Sequence, residues 1–146
     1  MAHEWFALSI QQPWMDLIVR GQKTIEVRTW EVKRRGPILL HASRTVDWKA
    51  TFLFCYEDPL ALARGALVGY AEILDVFRFT RERWLATAES HWVVAPLGES
   101  YWGAVLGNVQ SFARPIRCPG KRFFFPVSGR VAERVETQLE RIGISL

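Results

Sequence analysis

Across a single glycine the apolar period of this chain changes from helical to extended. Before Gly21, the residues Trp14, Leu17 and Ile18 recur at i, i+3 and i+4 and make one apolar stripe. After it, Thr24, Glu26 and Arg28 point one way, and Ile25 and Val27 the other. The pattern predicts a helix that ends on a left-handed glycine cap, followed at once by a half-buried strand with a polar face. Pro13 suits the first turn of that helix, because its missing N–H is not needed there. Trp5 to Ile10 reads as a short strand ahead of it.

The same alternation of short strands and short helices continues down the chain. Gly36-Pro37 punctuates, and Ile38 to Ala42 is a short apolar strand. Asp47 is a cap for a helix running to about Tyr56, with Trp48, Thr51, Phe52 and Cys55 as its apolar stripe. Asp58-Pro59 breaks it, and Leu60 to Arg64 allows one more turn closed by Gly65. Ala66 to Phe79 is the longest strand, with Gly69 marking a bulge or a close backbone approach. Thr80 caps a helix through about Glu89 that carries Trp84, Leu85 and Ala88. Tyr101 to Phe112 is again strand-like, interrupted by Gly107, while Pro115, Pro119 and Gly120 mark turns. Phe123 to Pro126 reads as a last strand. Val131, Val135, Leu139 and Ile142 fall at helical spacing and predict an amphipathic helix ending at Gly143. Five to six short strands with interleaved helices predict an α+β fold, a small, partly open β-barrel with helices around it. A length of 146 residues fits a single domain over 1–146, with 128–146 as its C-terminal helical segment.

Composition narrows the function classes. There are seven Trp, nine Phe and three Tyr; some of these rings must lie in the core, but seven Trp are more than a core of this size usually needs. A net charge of +4 and a pI near 9.4 suit a polyanionic partner, provided the charge clusters. Cys55 and Cys118 make no disulfide framework and no paired metal spacing, and read as buried free thiols in a reducing compartment. His3, His41 and His91 are isolated, with none at the helical zinc spacing, so no metal and no cofactor is expected. No apolar run approaches a membrane span and no basic leader precedes one, so a cytoplasmic protein with no membrane partner is expected.

Chemistry concentrates after Gly21. Lys23 stands where the strand begins, and Glu26 and Arg28 share its polar face. Such a trio suits a phosphate or an amine-bearing base, since guanidinium forks onto oxygens and a carboxylate accepts from exocyclic amines. The competing reading is an ion-pair ladder on an exposed strand, of little energetic consequence. Glu72 shares a strand register with Val68, Tyr70, Leu74 and Val76. It either pairs with Lys23 or Arg28 across the barrel or faces solvent. Tyr101 and Trp102, with Arg114, Arg117, Lys121 and Arg122, either flank a cleft that takes single-stranded nucleic acid or form a solvated basic loop beside a core strand.

The run Ser9-Ile10-Gln11-Gln12-Pro13-Trp14, followed by Gly21-x-Lys23-x-x-Glu26-x-Arg28, resembles the signature of the ASCH family of the PUA-like superfamily. Ile38 to Ser43, Leu67 to Val76 and the stretch from Tyr101-Trp102 to Pro115-Ile116 resemble further segments of that family, so the likeness spans residues 5 to about 127. The resemblance implies a barrel whose cleft is lined by Lys23, Glu26 and Arg28, with a role in binding RNA or a modified nucleoside. It puts Trp14 beside them, packing or stacking, and leaves Ser43 and Arg44 able to offer a hydroxyl and a charge to a ligand or to serve only a turn. Some family members are amidohydrolases that remove an acetyl group from modified cytidine with a lysine, a nucleophilic threonine and a glutamate. Lys23 matches that lysine, but the threonine position three residues later holds Glu26, and Thr24 directly follows the lysine. A carboxylate does not replace a hydroxyl nucleophile without changing the chemistry. A ribonuclease activity, also attributed to family members, would need the base and charge stabilisation that Glu26, Lys23 and Arg28 supply. Three functions therefore stand: a module binding RNA or a modified nucleoside, a small hydrolase using the same cleft, and a protein-interaction domain using exposed tryptophans.

Overall fold

The computed structural model describes residues 4–145. His3 lies outside them. The elements run β1 (Trp5–Gln12), α1 (Trp14–Val19), β2 (Ile25–Arg28), β3 (Gly36–Val46), α2 (Trp48–Leu53), a 3-10 turn (Pro59–Ala61), β4 (Ala66–Arg78), α3 (Arg81–Ala86), α4 (Ala88–His91), β5 (Trp102–Arg117), β6 (Phe124–Val127) and α5 (Gly129–Arg141). One mixed sheet of six strands has the order β2-β5-β4-β3-β1-β6. β1 and β3 run parallel, joined through α1 and β2, and the other neighbours are antiparallel.

The sheet is open, yet it rolls upon itself. β2 and β1 stand far apart in the strand order, but the Arg28 guanidinium donates to the Ser9 carbonyl at 2.8 Å. Trp30, just past β2, meets Phe123 and Phe124 edge-to-face at centroid distances of 5.0 and 5.8 Å. Side chains rather than a ladder bring the two ends of the sheet together, which gives the partly open barrel of an α+β fold.

Strand alternation divides the apolar residues between two layers. Leu8, Ile10, Ile38, Leu40, Ala71 and Ile73 fill the inside of the roll with Met15 and Ile18 of α1. Trp5, Ala7, Leu39, Leu67 and Tyr70 pack outward under Val135 and Leu139 of α5. Complete burial of a Leu or Ile contributes roughly 1.5–3 kcal/mol. Gly69 marks the close approach its sequence position suggests: a Cβ there would stand 2.4 Å from the Gln110 carbonyl oxygen.

Several sequence expectations are corrected. α2 turns Trp48 and Phe52 to solvent, 53% and 88% exposed, and buries Ala50 beside the expected Thr51. The Asp47 cap also accepts from Trp14 Nε1 at 3.0 Å, and this tie fixes which face of so short a helix looks inward. Cys55 is exposed, and only Cys118 is a buried thiol. The helix expected from Thr80 to Glu89 is two pieces, broken at Thr87, whose hydroxyl bonds back to the Arg83 carbonyl. Leu85 faces solvent. Pro115 is no turn: β5 runs on to Arg117, and residues 112–115 bulge opposite Val68 alone. A residue with no N–H is tolerated where the ladder is already interrupted. Pro13 precedes α1 rather than opening it, after a cis peptide bond.

A candidate ligand-binding cleft

The helix-to-strand switch builds the floor of the cleft. Gly21 has φ +79°, and the N–H groups of Gln22 and Lys23 both bond to the Leu17 carbonyl, at 2.9 and 3.0 Å. This wrap turns the Lys23 side chain inward, where only 1% of it meets solvent. Its ammonium donates to the His91 carbonyl, stands 5.0 Å from the centre of the Trp14 ring and lies 3.7 Å from Glu26 Oε1. The His91 ring is itself fixed: Nδ1 accepts from the Val93 N–H at 3.0 Å, Nε2 pairs with the Trp84 carbonyl at 2.9 Å, and the ring stacks on Trp84. α4 thereby places one backbone acceptor where the lysine needs it.

β2 brings in the counter-charges. Glu26 is 5% exposed, and its Oε2 accepts from Arg28 Nη2 at 2.8 Å and from Nε at 3.1 Å. Among the described residues, Glu26 Oε1 takes no hydrogen bond within 3.5 Å and faces only the lysine charge. With the lysine as its one charged neighbour, Oε1 keeps lone-pair capacity for a donor that enters the cleft. Burial pushes the Lys23 ammonium down from the usual 10.5 to about 8; Glu26 opposes the shift and Arg28 adds to it. A surface ion-pair ladder is excluded, because the strand's polar face looks into the roll.

Aromatic rings make the walls. The cavity holds about 380 Å³ and is lined by Trp14, Trp30 and Tyr101 above Lys23, Glu26 and Arg28, with Ser9 at one end. Trp14 is anchored and also faces the cavity: its indole N–H is tied to Asp47, its ring meets Phe54 edge-to-face with centroids 5.4 Å apart, and it is part of the cavity lining.

Other sequence candidates fall elsewhere. Ser43 and Arg44 line a second cavity, together with Lys121 and Arg122, and Ser9 lines both cavities. Arg114 lies against α5, where its N–H reaches Gln138. Glu72 is not joined to the trio: it sits in mid-β4 opposite Pro37 and Gly107, while Lys23 and Arg28 pair with Glu26. Trp102 pairs in the ladder with Arg28 and packs at the rim of the inner core, and its neighbour Tyr101 lines the cleft instead. Trp30 and Ser9 were not among the sequence candidates. Trp30 continues the period-two face of Glu26 and Arg28, so its signal was present. Ser9 is placed only by the sheet's roll. Among the described residues, no group of three His, Cys, Asp or Glu side chains is arranged to hold a metal ion. No helix among them is long and apolar enough to cross a membrane.

The sequence matches the ASCH domain family model over residues 8–113. Activating signal cointegrator 1 from Homo sapiens and from Mus musculus are each 30% identical to it over 81 residues, which covers 48% of this chain and 14% of theirs. The chain thus spans a small fraction of the length of these curated relatives. An ASCH protein from Zymomonas mobilis has a similar fold, with a TM-score of 0.64 at 14% identity over 90% of this chain and 93% of that one. A mutant of that protein gives 0.60 at 15% identity, over 90% and 94%. At such identities the likeness concerns the fold.

Proposed function

The chain belongs to the ASCH domain family, and from that premise we propose that its cleft binds RNA or a modified nucleoside, seating one base between the aromatic walls and the Glu26 carboxylate. The PUA-like superfamily is often linked to RNA binding, and the residues of this cleft supply the chemistry for it. One observation carries the reading: a buried Lys23–Glu26 pair, with the half-buried Arg28 forked onto Glu26, lines a cavity together with Trp14, Trp30 and Tyr101. Ring faces stack on any base. Glu26 Oε1 then accepts from an exocyclic amine, which favours bases that carry one. The forked bond from Arg28 aims the carboxylate, so the site is built before the ligand arrives.

Titrating the protein with short single-stranded RNA at two salt concentrations tests this. Binding should appear at low salt and weaken as salt rises, with the tryptophan fluorescence reporting the occupied cleft. No binding even at low salt would sink the RNA form of the proposal, and a panel of modified nucleosides would then decide the other form.

A second reading has one observation in its favour. A buried amine brought down to about 8, beside a carboxylate in a cleft, is the kind of group hydrolases use. A small hydrolase acting on RNA or on an acylated nucleoside would lose turnover in Lys23→Ala while keeping its fold. Turnover that survives both Lys23→Ala and Glu26→Ala would remove the cleft from that chemistry.

A further inference from the structure

A second cavity, of about 430 Å³, opens beside the cleft, and Ser9 lines both. Its walls come from distant parts of the chain. β3 contributes Ser43 and Arg44, and the loop between β5 and β6 contributes Gly120, Lys121 and Arg122. Among the described residues, no aspartate or glutamate lines it, and none pairs with Arg44, Lys121 or Arg122. Three exposed cations around one concavity with no counter-charge make a positive potential that an anion relieves. Guanidinium forks, an ammonium and a hydroxyl are the donors that phosphate oxygens accept.

Hydrogen bonds fix Ser9, the residue common to both cavities. His41 Nε2 stands 2.8 Å from the Cys118 carbonyl, which only accepts, so that nitrogen carries the hydrogen. Nδ1 is then the acceptor, and the Ser9 hydroxyl donates to it at 2.9 Å. Gly120 lies directly against this pair: a Cβ there would stand 2.6 Å from His41 Cε1 and 2.9 Å from Ser9 Oγ. The loop that carries Lys121 and Arg122 is therefore held close to Ser9, and so close to the end of the cleft.

We propose that this basic pocket is a phosphate subsite, taking the phosphate attached to the nucleoside whose base occupies the cleft. The inference rests on the base reading of the cleft and adds the ligand class, a phosphate ester of a nucleoside. Arg44, Lys121 and Arg122 are the partners of the anion, and Ser9 marks the passage that the sugar crosses.

Calorimetric titration of the whole chain tests it with paired probes: the four common nucleosides, their 5′-monophosphates, the matching dinucleotides, and inorganic pyrophosphate. For any base that binds, the phosphorylated form should bind about tenfold tighter, the scale of one charge-assisted contact. The Lys121→Ala/Arg122→Ala double variant should erase that gain and leave nucleoside affinity unchanged, because both residues are exposed and neither lines the cleft. A preference for the dinucleotide assigns the subsite to a strand's phosphodiester, and a preference for the monophosphate assigns it to a free monoester. Pyrophosphate should bind the wild type and Glu26→Gln alike, and the double variant at least tenfold more weakly. Nucleosides that fail to bind while pyrophosphate binds would defeat the base reading and leave the anion pocket standing. Phosphorylated forms no tighter than nucleosides, or pyrophosphate binding that is absent or survives the double variant, would overturn the pocket.

Discussion

Lys23 concentrates the cost of the site in one side chain. Its ammonium is held at about 8 in the fold, against 10.5 for an ordinary lysine. Between those values the unfolded chain binds the proton and the folded chain does not, so stability rises with pH across that window. Below about pH 8 both states are protonated and the full penalty for burying the charge is present, on the order of 3 kcal/mol. Denaturant unfolding of the wild type from pH 7.5 to 10.5 should therefore show a gain that Lys23→Met lacks. Equal slopes in the two proteins would refute the assignment. Glu26 acts in the opposite sense on the same amine, raising its proton affinity. Glu26→Gln should accordingly move the onset of Lys23 acylation by an amine reagent to lower pH, and Glu26→Ala should cost about 3–5 kcal/mol by leaving two cations without their partner.

At the scale of elements, legibility followed locality. The trio of Lys23, Glu26 and Arg28 was readable because a glycine-capped helix and a period-two strand fix all three within one short segment. The α5 stripe was readable for the same reason: Val135 and Leu139 are buried where the spacing placed them. α2 was misread because a helix of six residues presents too few positions for its period to decide a face. The Asp47–Trp14 bond decided it, and that contact joins residues far apart in sequence. The cleft's remaining walls were less legible for a related cause. Tyr101 was offered only as one of two readings, and Ser9 and Trp30 were not offered, because the three come from separate segments and meet only once the sheet rolls. Two substitutions test the element account. Gly69→Ala should destabilise by about 1–3 kcal/mol, because its Cβ meets the β5 backbone and not a side chain that can move aside. Gly21→Ala has open space around it and should cost about 1–2 kcal/mol from its positive φ alone. Thermal or denaturant unfolding of both variants would separate steric from conformational strain.

For the molecule as a whole, the roll of the sheet and the site are one feature. The guanidinium that orients Glu26 also ties β2 to the Ser9 carbonyl of β1, so the contact that closes the roll also aims the carboxylate. Arg28→Lys keeps the charge but loses the forked geometry, and should weaken ligand binding more than it weakens the fold. The +4 net charge gains meaning from its distribution: Arg44, Lys121 and Arg122 gather around the second cavity, which Ser9 also lines. The central claim is that one base stacks in this cleft with its amine on Glu26. A structure of the protein with a short single-stranded RNA of mixed sequence tests it most directly. The account predicts a base lying against Trp14, Trp30 or Tyr101, with its exocyclic nitrogen about 2.9 Å from Glu26 Oε1. RNA bound on another face, with the cleft holding no base, would contradict it.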